Sequence, residues 1–387
     1  VIGLISGTSI DAIEASAADL CLEGEVITAR LLGHRSAPYS REITAALNEL
    51  LPPQQTTIGQ IAALDADIGR AFGRLAREAM HELCEDRVDL ICSHGQTVFH
   101  AIDPSGQATS SLQLGNPAYI AEITGASVVS DFRSRDIAAG GQGAPLVSLA
   151  DTLLLGRDPP VVSGVLNLGG IANVTVLEKG EEPLAYDVGP GNVLIDAAVR
   201  LTSNGTLGFD AGGAAAARGT VDPELLESLA RDPYYGRRPP KSTGREHFHL
   251  EYLRAHLGDR LLSPDDLVAT VTALSATTVA RALGSHHVRR VIASGGGTRN
   301  ATLIQWIERE LGGLRVELSD TLGLPEAEKE AFAFGLIGFL SVQAIPATLP
   351  SCTGARHTSV LGSITPGVLP LSLTHRAVEP KRLVIEN

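Results

Sequence analysis

Runs of apolar residues alternating with small polar turns open the chain. Residues 1–5, 12–20 and 26–34 read as strands, with a turn at 21–24. A helix is expected over 41–51, ended by Pro52-Pro53. Ile58, Ile61, Leu64, Ile68, Phe72, Leu75 and Met80 then recur at helical spacing, which predicts a long amphipathic helix from 58 to about 84. A short buried strand follows at 88–92, a helix at 117–124 and a strand at 126–130.

The same order restarts at Val162. Strands are expected at 162–168, 172–177 and 183–188, and a helix after Gly191. A long polar insertion occupies about 205–260. A helix at 264–283, a strand at 288–293, a helix at 301–311, a strand at 314–318 and a helix at 328–342 complete the copy. The match is one of element order, not of residue identity. It predicts two similar α/β domains whose glycine-rich turns face each other across one central cleft. The segment from Ile345 onward is expected to pack back on the first domain.

Length and composition agree with this organisation. At 387 residues the chain exceeds the usual size of a single core. Hydrophobic content is 44% and charged content 19%, as in ordinary soluble proteins. The net charge of −13 argues against nucleic acid as a partner, while leaving room for small anions held by backbone N–H groups. Cys21, Cys84, Cys92 and Cys352 form no C-x-x-C pair, and free, mostly buried thiols in a reducing compartment are expected. No apolar run of transmembrane length is expected, and the opening residues do not read as a basic-then-apolar signal. A cytoplasmic protein with no membrane partner is the expectation; a homodimer is compatible with the sequence.

Several stretches carry chemistry. In the first turn, Gly7, Thr8 and Ser9 offer close backbone approach and hydroxyl donors, and Asp11 offers a carboxylate for a metal or its water. An ordinary hairpin turn with a solvated Asp11 is the alternative. Gly169 and Gly170 repeat the small turn in the second half, and Asp187 precedes Gly189, Gly191 and Asn192. Two such hairpins with two acids suit a Mg²⁺–polyphosphate; the plain alternative for Asp187 is a turn or helix-capping role. Gly295, Gly296 and Gly297, with Asn300 at the next helix start, match a dinucleotide fingerprint only loosely. Neither a P-loop nor a G-x-S-x-G elbow is present.

The stretch from Ser130 to Pro145 leaves a strand and runs through Asp131, Arg133, Arg135 and Asp136 into a glycine-rich loop. Asp136 is well placed there as a general base; the alternative is a structural ion-pair cluster of Asp131, Arg133, Arg135 and Asp136, which is the reading expected for Asp131 and Arg133. His94, in Ser93-His-Gly-Gln-Thr97, is expected at a cleft rim against a polar ligand, or else as a satisfied structural histidine. Lys241 and Arg245 reach a ligand or lie on a rigid surface loop.

With these stretches in hand, the chain resembles the anhydro-N-acetylmuramic acid kinases of the actin/Hsp70/sugar-kinase superfamily. The resemblance rests on Ser6-Gly-Thr-Ser9 with Asp11, Ser93–Thr97, Asp131-Phe-Arg with Asp136–Pro145, Asn167–Asn173, Asp187–Asn192, Pro240–Glu246, Ser294–Gly297 with Asn300, and Pro350–Ala355. It implies two ribonuclease-H-like domains of the actin-like ATPase fold, at 1–160 plus 345–387 and at 161–344. It implies the use of ATP, Mg²⁺ and water to turn 1,6-anhydro-N-acetylmuramic acid into N-acetylmuramic acid 6-phosphate during peptidoglycan recycling, with Asp136 as general base. The implied ATP-binding residues are Gly7, Thr8, Ser9, Asp11, Ala12, Glu14, Gly169, Gly170, Asn173, Gly189, Gly191, Asn192, Gly295, Gly296, Gly297 and Asn300. The implied sugar-binding residues are His94, Gln96, Gln142, Gly143 and Glu330, with Mg²⁺ at Asp11 and Asp187 through water. The family usually has Gly and Asp where this chain has Ala12 and Glu14. It often has Asp where this chain has Asn116, and an acid where this chain has Ala327. A kinase for another amino sugar and a nucleotide-dependent binding protein of the same fold are the competing readings.

Overall fold

A run of five consecutive buried residues, Ile2–Ser6, forms β1. In the computed structural model, which describes all residues except 8, 9, 11, 52–54, 104, 245, 246, 369, 370, 372–377 and 387, this strand lies inside the larger sheet. Being covered on both faces explains its continuous rather than alternating apolar pattern. β2 (Ile13–Glu23) and β3 (Val26–Ala37) follow as antiparallel neighbours, with Ile2 opposite Ala17 and Glu14 opposite Ser36. β4 (Leu90–Ile102) runs parallel to β1, and β6 (Ser127–Ser130) parallel to β4; β5 (Ala108–Leu114) folds back on β4 as an antiparallel hairpin partner.

The helix Ile58–Leu83 covers one face of this sheet. It opens with a capping box between Thr57 and Gln60 and turns Leu64, Ile68, Phe72, Leu75 and Ala76 inward. Gly69 and Gly73 let it come close to the helix Pro117–Thr124: a Cβ on Gly69 would stand 2.7 Å from the Asn116 carbonyl oxygen. The C-terminal segment returns to the same unit. There β12 (Ser363–Thr365) pairs with β6, and β13 (Arg382–Glu386) pairs with β3.

The second unit has its own sheet. β7 (Ser163–Leu168), β8 (Ile171–Leu177) and β9 (Leu184–Pro190) form an antiparallel meander, and β10 (Arg290–Ser294) and β11 (Val316–Leu318) add in parallel beside β7. The order β11-β10-β7-β8-β9 repeats the order β6-β4-β1-β2-β3 of the first unit, with the same strand directions. Both are ribonuclease-H-like sheets, so the expected α/β class and the repeated element order hold.

The helix Pro264–Ser285 is the one helix among the described residues long and apolar enough by composition to cross a membrane. The expectation that no run reaches that length is corrected here. Its Leu267, Val271, Leu274, Val279 and Leu283 belong to the core of the second unit. The insertion is also less polar inside than its sequence suggests. It holds the helices Ala214–Arg218, Pro223–Ala230 and Leu250–Leu257, and buries Tyr234 and Phe248 completely or nearly so.

The chain divides into Val1–Gly156 with Gly323–Asn387, and Arg157–Leu322. The expected second boundary, between 344 and 345, is therefore corrected. The helix Lys329–Val342 belongs with the first unit because it packs on β1, β2 and β4. The cysteines are all free, but only Cys92 and Cys352 are buried; Cys84 is half-buried and Cys21 exposed. β4 is longer than the expected strand, and β5 was missed because its centre is mostly polar and exposed.

The contact between β1 and Lys329–Val342 is close enough to test. A Cβ on Gly3 would lie 1.9 Å from the Ala331 carbonyl oxygen, so the helix must shift to admit it. Gly3→Ala is expected to lower unfolding stability by about 1–3 kcal/mol, the usual cost of overpacking, in urea-unfolding measurements.

Candidate functional site

Asp136 lies in the short helix Ser134–Ala138, just after β6, and its side chain is fully buried. Its carboxylate accepts from the Gly143 N–H at 2.7 Å through Oδ2 and from the Thr353 hydroxyl at 2.7 Å through Oδ1. Burial pushes the proton affinity of Asp136 up, and these donors and the nearby Arg133 charge pull against that push. Gly141 lies directly on the carboxylate: a Cβ there would stand 2.2 Å from Oδ2. A side chain there would force the carboxylate to move.

The loop that follows is fastened along its length. Arg133 Nη1 donates to the Gly143 carbonyl at 2.5 Å, and the Gln142 N–H to the Thr353 carbonyl at 2.7 Å. Gln142 Oε1 accepts from the Ala108 N–H at 3.1 Å, and its Nε2 donates to the Gly106 carbonyl at 3.3 Å. Gln107 Nε2 donates to the Gly140 and Gly141 carbonyls at 3.1 and 3.2 Å. The expected Asp131–Arg133 pairing is replaced. Asp131, at φ 54°, accepts from Ser134 Oγ, while Arg133 Nε donates to His94 Nε2 at 2.9 Å.

His94 is therefore not at a rim. It sits inside β4, 5% exposed, with its ring 4.4 Å from that of Phe334. Its Nδ1 faces the Gly95 carbonyl at 3.0 Å. Burial and the Arg133 charge hold its pKa well below the usual histidine value, so the ring is neutral. Gln96 is fully buried; its Nε2 donates to the Gly7 and Thr97 carbonyls at 3.2 Å each, and its Oε1 accepts from Tyr39. It braces the Gly7 turn from below. Of that turn, Thr8, Ser9 and Asp11 lie outside the described residues. The Ala12 carbonyl accepts from Ser6 Oγ at 2.9 Å, and the Glu14 carboxylate meets Ser36 Oγ at 2.9 Å and His34 Nε2 at 2.6 Å across the strands. Glu330 is exposed, in the first turn of Lys329–Val342.

In the second unit three glycine-bearing turns converge on backbone. The Gly191 and Val193 N–H groups donate to the Gly170 carbonyl at 2.9 and 3.0 Å, and the Asn192 N–H to the Gly169 carbonyl at 2.9 Å. Asn192 Nδ2 bonds the Leu168 and Gly169 carbonyls at 3.1 and 3.2 Å. A Cβ on Gly191 would stand 2.4 Å from the Gly169 oxygen, on Gly295 2.4 Å from Asn167 Oδ1, and on Gly297 2.8 Å from the Leu168 oxygen; Gly296 faces open space. Asn173 lies in β8, opposite Asn167 on one side and Asp187 on the other.

Asp187 is tied to the insertion. Its Oδ2 accepts from the Thr243 N–H at 3.0 Å, its N–H donates to the Lys241 carbonyl at 3.1 Å, and its carbonyl accepts from the Tyr234 hydroxyl at 2.7 Å. Lys241 Nζ lies 4.6 Å from the Tyr234 ring centroid. Asn300 Oδ1 caps the helix Ala301–Glu310 by accepting from the Leu303 N–H at 2.9 Å. Among the described residues no group of three or more His, Cys, Asp or Glu side chains is arranged to hold a metal.

The profile described as anhydro-N-acetylmuramic acid kinase matches residues 1–367. The chain belongs to the anhydro-N-acetylmuramic acid kinase family. A kinase of that name from Streptomyces coelicolor is 53% identical over 385 residues, covering 99% of this chain and 98% of that protein. One from Rhodococcus erythropolis is 50% identical, covering 100% and 99%, and one from Caldanaerobacter subterraneus is 39% identical, covering 94% and 96%.

One carboxyl oxygen of Glu14 accepts from Ser36 Oγ on β3, and the side-chain oxygen of Asn300 meets a helix end. The amide of Gln96 and both ring nitrogens of His94 are likewise met by protein. Each of these four side chains therefore has a protein partner in this structure. Asn116 caps the helix Pro117–Thr124 through Oδ1, 3.0 Å from the Ala118 N–H. Sequence reasoning missed Thr353 as a partner of Asp136, although Pro350–Ala355 was singled out as a motif; a threonine before glycine carries no sign of which carboxylate it will meet. It also missed the buried pair Lys329–Asp151, 2.7 Å apart.

The raised proton affinity of Asp136 has a thermodynamic signature. The folded state holds this proton at a pH where the unfolded chain, near 3.8, has lost it. Stability from this group is thus fully present below that value and is lost as pH rises through the folded pKa. Urea unfolding of wild type and Asp136→Asn across this range should show wild type losing stability relative to the variant as pH rises.

Proposed function

We propose that the chain is an ATP-dependent kinase that opens the anhydro bridge of 1,6-anhydro-N-acetylmuramic acid and delivers N-acetylmuramic acid 6-phosphate, in the cytoplasmic recycling of peptidoglycan. The observation that carries this reading is the buried Asp136 carboxylate, desolvated yet held by two donors beside a glycine loop. Desolvation makes a carboxylate a stronger base, and the donors keep it ionised and aimed.

In this reading Asp136 takes a proton from water as the water oxygen bonds to the anomeric carbon. The bond from that carbon to O6 breaks, and O6 leaves as the nucleophile. O6 then bonds to the γ-phosphorus of ATP, and the bond to the ADP oxygen breaks. Gln142 and Gly143 line the Asp136 loop and are assigned to the sugar with Glu330; the Gln142 side chain also ties the loop to the β4–β5 hairpin.

The nucleotide is assigned to Gly169, Gly170, Gly189, Gly191, Asn192 and Gly295–Gly297, with Asn173 beside them and with Gly7, Thr8, Ser9, Asp11 and Ala12 of the first turn. Support comes from the convergence of the second-unit turns and from the open face at Gly296, where backbone can approach a flat or anionic group. Mg²⁺ is held by few protein carboxylates and by substrate phosphates, and prefers oxygen donors. Asp187 fits as one such oxygen donor, with Asp11 assigned as the second. The ion would neutralise phosphate charge.

A coupled ADP assay with the anhydro sugar tests the reading. Asp136→Asn should lower turnover by at least about 10²-fold, the usual contribution of a general base, while ATP binding by calorimetry is retained. Full turnover in the variant would refute the base assignment. ADP release with a free 6-hydroxyl amino sugar but not with the anhydro sugar would favour a different amino-sugar kinase. ATP turnover without sugar would favour a nucleotide-driven binding protein. Thr353→Val removes a donor that stabilises the carboxylate. The acid limb of its kcat/KM profile should therefore move to higher pH.

A further inference from the structure

We propose that Lys241 is a positioning residue for Asp187, acting on it through Tyr234 and through its own main chain. The proposal rests on Asp187 serving the ligand site, and deepens that reading. Asp187 lies in β9, at the edge of the second sheet. Its N–H donates to the Lys241 carbonyl at 3.1 Å, its carbonyl accepts from the Tyr234 hydroxyl at 2.7 Å, and its Oδ2 accepts from the Thr243 N–H at 3.0 Å. The insertion thus holds this residue by backbone and by side chain together.

Lys241 joins these contacts into one clamp. Its Nζ donates to the Tyr234 and Tyr235 carbonyls at 3.3 and 3.4 Å. The same atom lies 4.6 Å from the Tyr234 ring centroid and 5.6 Å from that of Tyr186. A half-buried ammonium needs acceptors for its N–H groups, and the two carbonyls and two ring faces meet that need. Burial and the Arg237 charge lower its proton affinity, and the Asp187 carboxylate works against them.

The turn that Lys241 grips reaches β9 twice. Tyr234 bonds Asp187, and the Tyr235 ring lies on Gly189, where a Cβ would stand 2.7 Å from Cε1. Between Gly236 and Leu250 the described residues form no helix or strand, so no regular ladder fixes the stretch that carries the Thr243 amide. A free loop would lose conformational entropy in keeping that amide on the carboxylate. The ammonium ties the loop back onto the Pro233–Gly236 turn and removes that freedom in advance.

The test compares Lys241→Met, Lys241→Arg and Tyr234→Phe in the full chain. Met keeps an apolar stem without the cation, and Arg keeps a cation that can lie on the rings. Hydrogen exchange by mass spectrometry over residues 184–190 reads the held strand, and kcat for the anhydro sugar reads its effect. Lys241→Met and Tyr234→Phe should each speed exchange about tenfold and lower kcat about tenfold, as loss of a buried tie implies. Lys241→Arg should recover most of both losses. In an Asp187→Asn background, Lys241→Met should lower turnover by less than about twofold more, because residues that act as a unit are not additive. Exchange in Lys241→Met equal to wild type, a loss in Lys241→Arg as large as in Lys241→Met, or additive losses with Asp187→Asn would overturn the proposal. If Asp187→Asn keeps full turnover, the assignment of Asp187 to the ligand site fails, and exchange alone decides whether Lys241 holds it. If turnover of Asp187→Asn is too low to read, exchange and the Lys241→Arg rescue decide. If Lys241→Met does not fold, Tyr234→Phe decides, and wild-type exchange there overturns the proposal.

Discussion

A buried carboxylate must be paid with hydrogen bonds, and the first unit is arranged around meeting that demand at Asp136. Its two donors come from far apart in the chain. The Gly143 N–H belongs to the loop after β6, whereas the Thr353 hydroxyl belongs to the C-terminal segment. The returning chain therefore has to reach the Asp136 loop. It does so through the helix Lys329–Val342, which packs on β1, β2 and β4, and through β12, which pairs with β6. The strand leading into the loop and the segment supplying its second donor are thus joined in one sheet. Gly141 completes the arrangement by bringing backbone against the carboxylate where any side chain would collide with it.

The second unit meets a different demand with the same strand order. Its turns gather around backbone atoms rather than around a charge. Asn192 ties two of them by bonding the Leu168 and Gly169 carbonyls, and Gly295 and Gly297 close on the same hairpin. The N–H groups of Gly191, Asn192 and Val193 donate to the Gly169 and Gly170 carbonyls, which fixes the start of the helix Val193–Thr202 against the β7–β8 turn. A repeated sheet therefore presents an ionisable side chain in one copy and a backbone cluster in the other. The difference lies in the turns, not in the strands.

Much of the fold was legible because its signals are periodic. The spacing from Ile58 to Met80 gave the long helix to within a residue at each end, and the order of elements along both units followed from apolar runs between turns. The elements that were misjudged lack such a signal. β5 alternates polar residues on an edge, and Lys329–Val342 is apolar on nearly every side, so neither its partner nor its unit can be read from periodicity. Asp136 was legible as a candidate base from its glycine loop. His94 was legible only as one of two readings, and Gln96 and Asn300 were not legible in their observed contacts, because a polar residue beside a turn can meet a ligand or cap and brace the chain. Only the three-dimensional partner decides, and here the partners are Arg133, Gly7 and the Leu303 amide.

The departure at position 14 follows the same logic. The resemblance implies aspartate at this position, at the start of β2. In this chain the register sets Glu14 opposite Ser36, with His34 two residues away on β3. Glutamate has one methylene more than aspartate; its Oε1 accepts from Ser36 Oγ at 2.9 Å, and its Oε2 lies 2.6 Å from His34 Nε2. The charge of the family residue is kept, but its longer arm is engaged across the sheet. A shorter aspartate would have less reach toward β3 and would leave its carboxylate nearer the turn. The substitution thus exchanges a group near the turn for a cross-strand tie, while the Gly7 turn keeps its brace from Gln96.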